Sequence, residues 1–250
     1  MNSPTCSIFF HNYYGQHDDW IRFFSQKMNV PFILYYNIVE DSPYNLEQSS
    51  LSGISRSNPP GPGLKKIVLR RSPNQGKDIG GKLVLLDAAL RENDNSEYSL
   101  FLHDKKSPYK IQNEAWKEKL FRIVEPTFAQ KALSAFGNDQ KIGIIAGADS
   151  IRNEYDPHSQ SFVSRNSVLL SGLQSAYNIA TNDYRYVAGT MFWARQRPLL
   201  DFFTQHQPLD IRGSLERGNV MDDNHGTFTH SWERLMTWLI FTRGYTIKGL

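Results

Sequence analysis

Apolar residues recur along the chain in short runs separated by amphipathic stretches. Cys6–Tyr14 (CSIFFHNYY) and Pro31–Val39 (PFILYYNIV) are aromatic and β-branched runs of strand length. Between them, Trp20, Ile21, Phe23, Phe24 and Met28 recur at helical spacing, and Asp18 and Asp19 at the start suit the positive end of a helix dipole. Asp41–Gly63 is dense in Ser, Asn, Pro and Gly and predicts a long loop, with the length of a lid. A third strand follows at Ile67–Arg70, a helix at Gly80–Leu90, a fourth strand at Tyr98–His103, and helices at Asn113–Val124 and Thr127–Phe136. Lys141–Ala146 predicts a fifth strand and Asp149–Ser164 a polar loop. Ser167–Ile179 predicts a helix, Tyr186–Ala194 a sixth strand, and Arg197–Gln205 another helix. Leu209–Gly226 reads as irregular. Phe228–Thr242 is an amphipathic helix, and Tyr245–Ile247 predicts a last strand.

This alternation predicts an α/β fold: a mostly parallel central sheet flanked by helices on both faces. Such sheets bind ligands outside the carboxyl ends of their strands. The polar residues to inspect are therefore His11, Asn12 and Tyr13, Asn37 and Glu40, Asn74–Asp78, His103–Lys106, and Asp149.

Length and composition narrow the class. The 250 residues, 40% hydrophobic, suffice for one well-filled domain. A formal charge of +3 is too small for a dedicated nucleic-acid binder, but leaves room for a local anion site. The single cysteine, Cys6, excludes an internal disulfide framework and a Cys-based zinc cluster, and suggests a reducing cytoplasm. The first residues lack a basic n-region, and no run approaches the roughly 18 apolar residues of a membrane span. The expectation is a cytoplasmic chain, with peripheral contact at the inner face of the plasma membrane. Lys65, Lys66, Arg70 and Arg71 suit an anionic surface, although a solvated strand edge explains them equally well.

Four segments carry candidate chemistry. Asn74-Gln75-Gly76-Lys77-Asp78-Ile79-Gly80 is either a phosphate-approaching turn before a helix or a tight turn with Asp78 as N-terminal cap. In His103-Asp104-Lys105-Lys106-Ser107, Asp104 is a candidate ligand for Mg2+ or Mn2+, and Lys105 or Lys106 is a candidate countercharge to a diphosphate. A solvated turn is the alternative. In Gly189-Thr190-Met191-Phe192-Trp193, small residues and an aromatic suit either a sugar-binding floor or a core strand. In the last helix, His230, Glu233, Arg234 and Thr237 share a face, giving either a general base or a surface ion pair. Asp222 and Asp223 add carboxylates just before that helix.

In this order and spacing, with His11-Asn12-Tyr13-Tyr14 at the first strand and Gly226-Thr227 before the last helix, these segments resemble the rhamnan synthesis F-like family. The resemblance covers nearly the whole chain. It implies a GT-A-like glycosyltransferase, a single domain over 1–250 with a nucleotide-binding half at about 1–110 and an acceptor-side half at about 111–250. It implies transfer of rhamnose or another hexose from a nucleotide-diphosphate donor to a glycan or lipid-linked acceptor in surface-polysaccharide or O-antigen synthesis, with inversion. His11, Tyr13, Asn74, Gly76, Lys77, Asp78, Gly80, His103, Lys105 and Lys106 would hold the donor. Gly189, Thr190 and Trp193 would face sugar. Glu233, then His230, would be the base, with Asp222 or Asp223 in reserve. The Asp-x-Asp metal motif of many GT-A enzymes is absent, so no metal cofactor is fixed. Its absence also sustains the alternative of a non-catalytic carbohydrate-binding module.

Overall fold

The computed structural model describes residues 5–15, 30–43, 63–104, 121–221 and 225–250. The helix predicted over Asp18–Met28, most of the Asp41–Gly63 loop and most of the helix over Asn113–Val124 lie outside those residues. Strands β1 (Cys6–Asn12), β2 (Phe32–Val39) and β3 (Leu64–Ser72) precede helix α1 (Lys77–Arg91) and strand β4 (Tyr98–His103). Helix α2 (Pro126–Asn138) and strand β5 (Ile142–Ala146) follow. Three short strands come next: β6 (Ile151–Asn153), β7 (Tyr155–Asp156) and β8 (Ser161–Phe162). Then come α3 (Ser167–Ala176), β9 (Arg185–Val187), β10 (Phe192–Arg195), α4 (Gln196–Gln205), α5 (Pro208–Gly213), α6 (Phe228–Phe241) and β11 (Thr246–Gly249).

Seven strands form one sheet in the order β11-β5-β10-β4-β1-β2-β3. All neighbours run parallel except β10, which is antiparallel to β4 and β5. The mostly parallel α/β architecture is therefore as expected. Burial on both faces explains the near-continuous apolar runs. On one face Phe9 stacks on Tyr35 and Phe101 with ring centroids 5.0 and 4.9 Å apart, and Phe101 meets Phe192 at 5.0 Å. Helices α1, α4 and α6 cover this row with Leu83, Leu86, Leu199, Phe203, Leu235 and Leu239. On the other face Ile8, Phe10, Leu34, Tyr36 and Leu102 pack against Phe128, Ala132 and Phe136 of α2. Each such fully buried large side chain contributes about 1.5–3 kcal/mol.

Three expectations are corrected. The run Tyr186–Ala194 is not one strand. Gly189 (φ 80°) and Thr190 (φ 48°) adopt left-handed backbone, and Thr190 N–H donates to Val187 O at 3.1 Å to close a turn. The chain therefore pairs β9 with β6 and only then enters the main sheet as β10. Asp149–Ser164 is not a plain loop but supplies β6 and the β7–β8 hairpin. Leu209–Gly226 overlaps the short helix α5. Among the described residues, no helix is long and apolar enough to cross a membrane.

Candidate functional site

The aromatic row beneath α1 turns polar one step toward the strands' carboxyl ends. Two residues beyond Phe9, Tyr35 and Phe101 stand His11, Asn37 and His103, and the strand register pairs His11 with both others. All three are buried. Asn37 Nδ2 lies 3.1 Å from His11 Nδ1 and 3.0 Å from Ser72 Oγ. The His11 ring fits only because α1 carries glycine opposite it: a Cβ on Gly81 would lie 1.8 Å from Nδ1. Burial pushes the His11 pKa down to about 4, Lys82 and Arg212 add to this, and Asp78 opposes it. The ring is neutral at pH 7.

Lys82 sits at the centre of this layer, completely buried. An ammonium there requires partners for its three N–H donors. It donates to Asp78 Oδ2 at 2.9 Å, to Thr190 O at 2.8 Å, and to Thr190 Oγ1. The Thr190 hydroxyl in turn donates to Asp78 Oδ2 at 2.5 Å, which closes a ring of three residues. His103 Nδ1 stands 3.3 Å from Lys82 Nζ and 3.6 Å from Asp78 Oδ2. Burial alone would raise the Asp78 pKa; the charges of Lys82 and His103 and the Thr190 hydrogen bond outweigh it and hold the carboxyl well below its ordinary range. Asp78 is thus not the N-terminal cap of α1. That position belongs to Gly76 (φ 74°), which has no side-chain cap.

The Asn74–Gly80 turn is wrapped by the segment before α6. Gly76 N–H donates to Glu216 O at 2.7 Å, and Gly218 N–H donates to Asn74 O at 2.8 Å. Asn74 Nδ2 donates to Asn219 Oδ1 at 3.1 Å, and Lys77 Nζ to Val220 O at 3.2 Å. Asn219 Nδ2 reaches Tyr13 Oη at 3.0 Å, which ties the end of β1 to the same segment. The Glu216 carboxylate then accepts from Phe228 N–H (2.6 Å), Thr229 N–H (3.0 Å) and Thr229 Oγ1 (2.6 Å) at the start of α6. One residue thus joins two helix N-termini. Gly80 is required because a Cβ there would lie 1.7 Å from Gln75 O.

Asp104 anchors a loop. Its carboxylate accepts from Tyr13 N–H at 2.8 Å and Tyr14 N–H at 2.5 Å. Among the described residues no group of three or more His, Cys, Asp or Glu side chains could hold a metal ion. Lys105, Lys106, Asp222 and Asp223 lie outside the described residues.

The turn at Gly189 links the Lys82 ring to α6. Gly189 N–H donates to Glu233 Oε1 at 2.7 Å, while Arg234 Nη1 donates to Oε2 at 2.7 Å. The Glu233 side chain retains 20% exposure. Arg234 itself is nearly buried, paired with Glu154 at 2.9 Å and packed over the Tyr186 ring at 4.5 Å. The ion pair is therefore internal rather than the surface pair considered from sequence. His230, half-buried, has Nδ1 2.6 Å from Oγ1 of Thr227, the residue that caps α6. Trp193 is corrected to a core residue. It is fully buried on the α2 side, and its Nε1 donates to Ile123 O at 2.9 Å, so it has no surface to offer a sugar. Thr190, His11 and His103 are likewise inside, whereas Tyr13, Lys77 and Glu233 reach the surface. Sequence reasoning missed Lys82 and Glu216. The signal for Lys82 was present, as a lone charge four residues after Asp78 within an apolar run. Nothing local marks Glu216.

A family model described as rhamnan synthesis protein F matches residues 2–245. The proteins WxcX from two strains of Xanthomonas campestris pv. campestris, described as uncharacterized, are each 27% identical over 180 residues, which is 70% of this chain and 24% of theirs. The chain spans about a quarter of the length of those relatives. The apo structure of the bifunctional glycosyltransferase WbbM aligns over 100% of this chain and 45% of its own, at a TM-score of 0.41 and 13% identity, too distant a likeness to carry an argument.

Proposed function

Because the chain belongs to the rhamnan synthesis protein F family, we propose that it is a glycosyltransferase unit of bacterial polysaccharide synthesis. Its reaction would move a hexose such as rhamnose from a nucleotide-diphosphate donor to a glycan or lipid-linked glycan. The observation that supports this best is the meeting of two elements at the carboxyl ends of the strands. The Asn74–Lys77 turn opens α1, whose Asp78 binds Thr190, and the adjacent Gly189 binds Glu233 of α6. Backbone N–H groups at a helix start suit phosphate oxygens, and Lys77 supplies a positive charge beside them. Lys105 and Lys106 are further candidates for neutralising the departing diphosphate.

Glu233 is the proposed general base. A carboxylate has about four lone-pair sites; Gly189 and Arg234 occupy two and fix its orientation. The others suffice to take the proton of an acceptor hydroxyl as that oxygen attacks the anomeric carbon and the diphosphate leaves on the opposite side. That geometry gives inversion. His230 is the alternative base.

Thermal melting with UDP, GDP, TDP and CDP, each with and without Mn2+, tests the donor site. One nucleotide is expected to raise the melting temperature. Glu233→Gln is then expected to keep that shift and lose sugar transfer. A flat response to all four nucleotides, together with glycan binding in the absence of turnover, would favour a non-catalytic carbohydrate-binding module instead.

A further inference from the structure

We propose that Lys82, a residue that touches no solvent, is a positioning residue for Glu233, acting through Thr190 and Gly189. The proposal rests on Glu233 being the base.

Thr190 holds a left-handed backbone (φ 48°), which is costly for a β-branched residue and persists only where surrounding contacts impose it. Lys82 imposes it from two directions, by binding both the carbonyl and the hydroxyl of Thr190. Asp78 Oδ2 accepts hydrogen bonds from both the ammonium and the Thr190 hydroxyl. Gly189 precedes Thr190 in the same turn, and its N–H is aimed at Glu233 Oε1 at 2.7 Å. That N–H lies in the Ala188–Gly189 peptide plane, and the turn hydrogen bond from Thr190 N–H to Val187 O, which encloses that plane, ties its direction to the clamp on Thr190. A purely structural lysine would need any acceptors. This one binds, among the described residues, three oxygens of Asp78 and Thr190, the two residues that connect α1 to the Gly189 turn.

Other charged groups face Glu233, and the test must separate them. Arg234 and His230 stand on α6, Tyr186 faces it from β9, and Glu154 lies behind Arg234. Losing the Gly189 hydrogen bond removes a partner of the ionised carboxylate, so Glu233 should become easier to protonate.

The experiment is a pH titration of the full chain with 13C-labelled glutamate carboxylates, the Glu233 signal being assigned by its disappearance in Glu233→Gln. In Lys82→Met and in Thr190→Gly the Glu233 midpoint is expected to rise by about one pH unit. The Gly189 amide is expected to exchange roughly tenfold faster as its hydrogen bond opens. Thr190→Ser, which keeps the hydroxyl, is expected to restore the original midpoint. Should Lys82→Met fail to fold, Thr190→Gly preserves the buried ion pair and decides alone. An unchanged midpoint in Thr190→Gly, or an equal rise in Thr190→Ser, overturns the proposal. The titration needs no substrate. Retained sugar transfer in Glu233→Gln would therefore defeat the base assignment separately, leaving the positioning result intact.

Discussion

His11 makes stability depend on pH in a calculable way. Its ring is fully enclosed between β1 and α1, and Nδ1 faces the Asn37 amide nitrogen at 3.1 Å. That nitrogen also faces Ser72 Oγ, so Asn37 presents a donor and Nδ1 must accept. A protonated ring cannot accept, and Lys82 and Arg212 add positive charge nearby. The folded-state pKa falls from 6.5 to about 4. Below 6.5 the unfolded chain binds a proton that the folded chain refuses, so stability is complete above 6.5 and is lost as pH falls toward 4. At about 1.4 kcal/mol per pKa unit, the loss is about 2 kcal/mol by pH 5 and about 3 kcal/mol by pH 4. The assay is urea unfolding at pH 7, 6, 5 and 4.5 for the wild type and His11→Asn. Carboxylates titrate in both proteins and cancel in the difference. The wild type should lose about 2 kcal/mol more than the variant between pH 7 and 5. Parallel pH profiles would refute the claim that His11 is buried and neutral.

Further outcomes follow from the same packing. Gly81→Ala drives a Cβ to 1.8 Å from His11 Nδ1 and should destabilise the protein by about 1–3 kcal/mol despite alanine's better helix propensity. Gly172→Ala in α3, where nothing lies within 4 Å, should instead stabilise by up to about 1 kcal/mol; thermal melting of both variants checks the contrast. Glu216→Ala removes the acceptor for two N–H groups and a hydroxyl at the start of α6 and should cost about 1–2 kcal/mol in urea unfolding.

The inner strands of the sheet were legible because they are buried on both faces and read as unbroken apolar runs; Tyr98–His103 matches β4 at both ends. The break inside Tyr186–Ala194 was not legible, since Ala188, Gly189, Thr190 and Met191 are compatible with a strand. What turns the chain there is a clamp supplied by Lys82, more than 100 residues earlier in sequence. The candidate site was legible in part. Asn74–Lys77 and Glu233 were proposed from position and residue type; the structure joins the neighbouring Asp78 to Thr190, and Gly189 to Glu233. His11 and His103 were expected at the ligand because they end their strands, but α1 passes over both. Asp78 as an N-terminal cap, one of the two readings of that turn, fails for the same reason: a carboxylate in a helix's first turn usually serves the backbone, and only the tertiary fold shows that a buried lysine claims it first.

Lys82 also explains why this layer of the sheet is polar at all. A buried ion pair is often no more stable than apolar residues of the same volume, so stability alone does not select it. One step toward the amino ends of the strands the same face is filled by Phe9, Tyr35, Phe101 and Phe192, which shows what the fold accepts when nothing else is asked of it. At the carboxyl ends the ring of Lys82, Asp78 and Thr190 does what an apolar layer cannot: it fixes the direction of a turn through hydrogen bonds. β10, inserted antiparallel between β4 and β5, brings that turn back over α1. The turn of Asn74–Lys77 is likewise closed by Glu216 and Asn219 from far along the chain. Neither the first 110 residues nor the remainder can therefore complete the candidate site alone, because Lys82 and Asp78 hold Thr190 while Glu216 and Asn219 hold the Asn74–Lys77 turn.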